Sequence, residues 1–111
     1  MDCIFCKLAE AGEKIFENEL AYVIQDKFPV SDGHCLMIPK RHFTDFFGST
    51  SEEREAIGEL VDKAKAMLDK KFRPDGYNIV MNCGAAAGQT VFHMHVHLIP
   101  RYNGKAVKVL H

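Results

Sequence analysis

Residues 91–100 read "VFHMHVHLIP", with histidine at positions 93, 95 and 97. Strict alternation with Phe92, Met94, Val96 and Leu98 is the period-two pattern of a half-buried β-strand. The pattern predicts one strand over this stretch, with His93, His95 and His97 on one face and the four apolar side chains towards the core. At about 3.3 Å per residue the outer two Cα atoms lie about 13 Å apart. A zinc–imidazole bond is only about 2.0–2.1 Å, so a straight strand cannot bring all three rings to one ion, although two neighbours can share one. Divided roles fit the spacing better. Imidazole changes charge near neutrality. A row of them therefore supplies both a nucleophile and donors to developing negative charge. That combination suits a phosphate substrate.

Working outward, "NCGAAAGQT" (82–90) precedes the histidines. Gly84 and Gly88 allow tight turns and close backbone approach to phosphate oxygens, or simply a turn between strands. "YNIVMNC" (77–83) reads as a strand, "KIFENEL" and "AYVIQD" (14–26) as a strand, a tight turn and a second strand, and "HCLMIP" (34–39, ended by Pro39) as a third. A short helix is expected over 3–11, stopped by Gly12. The clearest helix spans 48–72. Thr50 and Glu53 form a capping box, and Ile57, Leu60, Val61, Ala64, Met67 and Leu68 recur as one stripe that serves either the core or a dimer surface. These elements predict an α+β fold: an antiparallel sheet of about five strands, one long helix and a short N-terminal helix, in a single domain over residues 1–111.

Composition narrows the partners. With 14 basic and 15 acidic residues the formal net charge is -1, which offers no global field for nucleic acid or an anionic membrane. The "PKRH" turn (39–42) is a local basic patch, read as solvated. No stretch approaches the roughly 18 apolar residues of a spanning helix. The first ten residues lack the pattern of a secretory signal, so a cytoplasmic protein is expected. Of the four cysteines, Cys3 and Cys6 form a Cys-x-x-Cys pair of metal or redox type. Cys35 and Cys83 read as buried strand residues, and His111 carries no signal.

"GQTVFHMHVHLIPR" (88–101), "GHCLMIPKRH" (33–42) and "CIFC" (3–6) together resemble the histidine-triad family, especially the zinc-carrying bacterial-type members of its Hint branch. The resemblance runs along nearly the whole chain. It implies a two-layer α+β fold, usually a homodimer, that binds a purine nucleotide such as AMP and hydrolyses or transfers nucleotidyl groups at the α-phosphate. His95 is then the nucleophile that becomes nucleotidylated, oriented by the backbone carbonyl of His93. His97 contacts the phosphate and His34 assists beside it. Asn82, Gly88, Gln89 and Thr90 line the phosphate pocket. Thr90, standing where Hint proteins commonly have serine, assists the leaving group. Asp26 takes the ribose hydroxyls, and Ile4, Phe5 and Ile24 form the base pocket. Cys3, Cys6, His42 and His93 are the implied zinc ligands.

The transferase branch of the family has glutamine where this chain has His97, so the resemblance implies hydrolysis. Nucleoside 5'-phosphoramidates or related adenylates are the implied substrates. The alternatives are a dinucleoside polyphosphate hydrolase, or a nucleotide-binding adaptor with residual hydrolysis. The DNA-binding segments of the family's repair relatives have no counterpart, so no nucleic-acid partner is expected.

Overall fold

The structure, a computed structural model, describes residues 3–107; His111 lies outside them. The chain begins with α1 (Ile4–Ala11), capped by the Cys3 sulfur, which accepts from the Cys6 N–H, and ended at Gly12. Then follow β1 (Phe16–Glu17), β2 (Ala21–Gln25) and β3 (Cys35–Pro39). The long helix α2 (Ser51–Phe72) comes next, then β4 (Gly76–Val80) and β5 (Val96–Arg101). Two single 3₁₀ turns, Phe46–Gly48 and Ala85–Ala87, complete the description. The five strands form one sheet in the order β1-β2-β3-β5-β4, every neighbouring pair antiparallel.

Helix α2 forms where its sequence signals stand. Thr50 accepts from the Glu53 N–H while the Glu53 carboxylate accepts from the Thr50 N–H, closing the capping box. Acidic residues in the first turn and Lys70 and Lys71 in the last complement the helix dipole. Ile57, Leu60, Ala64 and Leu68 are buried against Ala21, Val23, Cys35, Met37, Met94, Val96 and Leu98, with Val61 and Met67 at the margin. That is one face of the sheet. On the other face Tyr22, Leu36 and Ile38 meet Phe5 of α1, with Leu8, Ile24 and Val91 around them. The functional side chains lie on this second face, which the short helix covers only in part.

Three expectations need correction. The last strand begins at Val96 rather than Val91, because its register with β3 (Met37 opposite Val96) would bring Pro39 opposite Met94. Proline has no N–H for the ladder, and the Met94 N–H bonds to the Phe43 carbonyl instead, at 2.8 Å. The segment before Val96 thus bends off the sheet. Met94 still reaches the core, but Phe92 is 48% exposed. The first strand of the strand–turn–strand expected over 14–26 is only two residues long, since the Asn18 side chain accepts from the N–H groups of Leu20 and Ala21 and starts the turn directly after Glu17. Strand β4 stops at Val80, so Cys83 is a half-buried loop residue rather than a buried strand residue. No helix among the described residues is long and apolar enough to cross a membrane.

Candidate functional site

Strand register assembles the first group of side chains. The Asp26 N–H bonds to the His34 carbonyl at 3.0 Å, extending the β2–β3 pairing, and Leu36 stands opposite His97. Asp26, His34 and His97 therefore meet on one face. His34 Nε2 lies 3.0 Å from His97 Nδ1 and 3.2 Å from Asp26 Oδ2. A cavity of about 830 Å³ opens beside them, walled by Ile4, Phe5, Leu8, Ile24 and Leu36 on its apolar side. Asp26, Asn82, Gly88, Thr90, His95 and His97 supply the polar side, and Glu13, Lys27 and Phe28 also line it. A mostly apolar pocket with a few convergent polar groups is the usual form of a small-ligand site.

Backbone partners determine which ring nitrogens carry protons. The His93 carbonyl, which can only accept, lies 2.8 Å from His95 Nδ1, so Nδ1 holds the proton and Nε2 keeps a bare lone pair. The Val30 N–H, which can only donate, lies 3.1 Å from His34 Nδ1, so neutral His34 is protonated at Nε2. That N–H points towards His97 Nδ1 and Asp26 Oδ2, leaving the proton of neutral His97 on Nε2. Among the described residues no buried polar side-chain atom lacks a partner. Neither His95 Nε2 nor His97 Nε2 has a hydrogen-bond partner among the described residues, so both open to the cavity. One presents a lone pair and the other an N–H.

Burial holds these rings neutral. It lowers His95 and His34 below the ordinary histidine value, Asp26 opposing the shift in both. His97 falls to about 4, through burial first and then through His95 and His34. A neutral His95 is the form that can attack.

The bend before β5 turns His93 towards α1 and the turn after β3. Cys3, Cys6, His42 and His93 gather there, their ligand atoms all within 4.8 Å of one another. His93 Nε2–H donates to the Pro39 carbonyl at 2.7 Å, so its Nδ1 lone pair faces the other three. His93 Nδ1 stands 3.3 Å from both Cys3 Sγ and His42 Nδ1, and Cys6 Sγ stands 3.3 Å from His42 Nδ1. A tetrahedral ion with bonds of about 2.0–2.1 Å to nitrogen has nitrogen–nitrogen edges of about 3.3–3.4 Å. The donor set and its spacing fit zinc. The segment carrying His42 is clamped by Arg41, whose guanidinium makes two bonds to the buried Glu53 carboxylate at 2.8 and 3.0 Å. Arg41 in turn holds that carboxyl below its usual range. Cys35, by contrast, has its thiol pushed up to about 12 by burial alone and is inert.

Of the residues expected to bind nucleotide, Ile4, Phe5, Ile24, Asp26, Asn82, Gly88, Thr90, His95 and His97 line the cavity, and Gln89 does not. Gln89 is buried instead, accepting from the Gly84 N–H and donating to the Thr44 and Val91 carbonyls. It is the clip that shapes the loop. His34 is 0% exposed and reaches the cavity only through its neighbours His97 and Asp26. Leu8, Glu13, Lys27, Phe28, Val30 and Leu36 join the lining without having been anticipated. Leu8 is foreseeable from helical spacing one turn after Ile4 and Phe5. Nothing in the sequence singles out Glu13 or Lys27.

Comparisons with known proteins bear on the family and the fold. The HIT domain family model matches residues 8–104. A HIT-like protein of Mycoplasma pneumoniae is 42% identical over 104 residues, 91% of this chain and 72% of that protein. An adenylylsulfatase of Arabidopsis thaliana is 36% identical over 103 residues, 90% of this chain and 52% of its own length. The crystal structure of a Zn-bound histidine triad family protein from Mycobacterium smegmatis superposes with a TM-score of 0.88 at 34% identity, covering 97% of this chain and 81% of that one. A family match over most of the sequence, joined to a shared five-stranded architecture, establishes that the chain belongs to the HIT domain family.

Proposed function

We propose that this protein is a cytoplasmic purine-nucleotide hydrolase of phosphoramidase type, acting on nucleoside 5'-phosphoramidates or related adenylates. One observation carries the reading: two imidazoles open to one cavity in opposite tautomers, His95 with a lone pair and His97 with an N–H. The base lies against Ile4, Phe5 and Ile24, and the ribose hydroxyls bond to Asp26. His95 Nε2 attacks the α-phosphorus. A nitrogen–phosphorus bond forms to His95 while the bond to the amine breaks, and the Thr90 hydroxyl relays a proton from solvent to the departing amine nitrogen, which the later attack of water returns to solvent. His97 Nε2–H donates to a phosphoryl oxygen as charge shifts onto it. Water then attacks the phosphohistidine, freeing His95 and a nucleoside monophosphate. The likeness to the Arabidopsis relative, an adenylylsulfatase, supports chemistry on an adenylyl group.

Zinc on Cys3, Cys6, His42 and His93 belongs to the same reading. Such an ion supplies folding energy and fixes the donor ring of His93. A homodimer is also proposed. Strand β4 is an edge of the sheet, with Ile79 57% exposed beside a shallow apolar groove lined by Phe46, Ile57, Gly58, Val61 and Met81. A second copy pairing there would cover both.

The direct test is His95→Ala. Single-turnover release of amine from adenosine 5'-phosphoramidate is expected to fall by about 10⁴-fold or more with an unchanged circular-dichroism spectrum. Retention of most of the rate in a folded variant removes His95 as nucleophile.

A further inference from the structure

Asp26, His34 and His97 do more than share a face, because a single proton serves all three. The Val30 N–H occupies His34 Nδ1, so the only N–H of neutral His34 is at Nε2. That proton has two acceptors, His97 Nδ1 at 3.0 Å and Asp26 Oδ2 at 3.2 Å, a three-centre arrangement. The Asp26 carboxylate already accepts the Phe28 N–H at Oδ1, 2.8 Å away. A carboxylate has about four lone-pair sites. About two remain on Asp26, which lines the cavity and therefore offers them to a ligand. Two acceptor sites on one carboxylate match the two O–H donors of a vicinal diol.

We propose that His34 is a positioning residue that couples the sugar end of the cavity to the phosphate end, so that a ribose diol on Asp26 sets the donor strength of His97. The inference rests on the nucleotide hydrolase reading above. Two hydroxyls donating to Asp26 weaken its pull on the shared proton. The His34 N–H then moves towards His97 Nδ1. A stronger bond at Nδ1 locks His97 with its proton on Nε2, aimed at the phosphoryl oxygens. No net proton transfer occurs; the bond is redistributed. A sugar with one hydroxyl leaves the proton shared and His97 less firmly set. Ribonucleotides should therefore turn over faster, and not merely bind more tightly, than their 2'-deoxy counterparts.

The experiment compares adenosine and 2'-deoxyadenosine 5'-phosphoramidates carrying the same amine, in wild type and His34→Gln. In wild type the 2'-deoxy substrate should show a single-turnover rate at saturation lower by about ten-fold, together with a higher KM. In His34→Gln both substrates should be slow, the rate difference between sugars should vanish, and the KM difference should persist. Equal saturating rates for the two sugars in wild type overturn the coupling while leaving the hydrolase reading intact. Failure of wild type to cleave either substrate overturns the hydrolase reading instead. The coupling then rests on ¹⁵N histidine spectra of wild type titrated with AMP and 2'-deoxyAMP. A His97 Nδ1 shift larger with AMP supports it, and identical shifts overturn it. The same spectra decide the matter if His34→Gln does not fold.

Discussion

Two clusters on the same face of the sheet look alike by distance and differ in their protons. Cys3, Cys6, His42 and His93 form one; Asp26, His34 and His97 form the other, and each packs its ligand atoms within 4.8 Å. In the first, the outward-facing proton of His93 is spent on the Pro39 carbonyl, leaving a nitrogen lone pair among sulfurs and another imidazole. Partial burial and neighbouring Cys3 raise the Cys6 thiol, so two thiolates there need a cation between them. In the second, the Val30 N–H forces a proton onto His34 Nε2, in the middle of the group. A metal would have to displace that proton and face the Val30 N–H with a second hydrogen on Nδ1. Counting protons from backbone partners thus separates a donor set that suits a metal from a hydrogen-bond relay where distances alone do not.

The largest expected effect breaks the first cluster. Cys3→Ala should lose its metal and on the order of 5 kcal/mol of folding stability, since binding energy at a structural zinc site is folding energy. Elemental analysis and urea denaturation read the two losses. Asp26→Asn should keep one zinc per chain and most of its stability. Zinc retained by Cys3→Ala but lost from Asp26→Asn would invert the assignment.

A smaller effect separates the clusters by pH. His34 and His97 are both held below the usual histidine range, chiefly by burial, His97 at about 4. In the unfolded chain both accept protons near about 6.5. The unfolded state therefore binds more protons below that value, and stability contributed by neutral burial is lost as pH falls from about 6.5 towards about 4. Denaturation at several pH values should show this slope in Cys3→Ala, which lacks the metal, and a reduced slope in His34→Gln/His97→Gln. A slope that disappears only with the cysteine assigns the acid sensitivity to the metal cluster.

The same proton logic marks how far the sequence could be read. Helix α2, its Thr50–Glu53 cap and the five strands follow local periodicity and capping, so they were visible without neighbours. The entry into β5 was not, because its start depends on Pro39 in a different strand, where the missing N–H ends the ladder. Gln89 was misplaced for a similar reason. Its partner Thr44 comes from a distant segment, and no spacing rule reports that bond. The family motif located His34, but its role depends on the Val30 N–H four residues earlier, a backbone group that a motif cannot display.

The smallest effect probes the seam between the clusters. The Phe5 ring stands edge-on to both His93 and His95, with centroids 5.8 and 5.2 Å away. It is buried with Tyr22, Leu36 and Ile38, so it spaces the metal-side ring from the cavity-side ring. Leucine at this position keeps an apolar filler but removes both edge contacts, each worth about 0.5–1.5 kcal/mol beyond area burial when aromatic partners meet well. Phe5→Leu should therefore cost about 1–2 kcal/mol of stability. Its zinc content should not change, because none of the four ligands loses a bond. Amine release should slow only a few-fold, since the His93 carbonyl still holds His95 in its tautomer. Loss of zinc from Phe5→Leu, measured by elemental analysis, would mean that the ring is not a spacer and that the two clusters form one cooperative unit through His93 and His95.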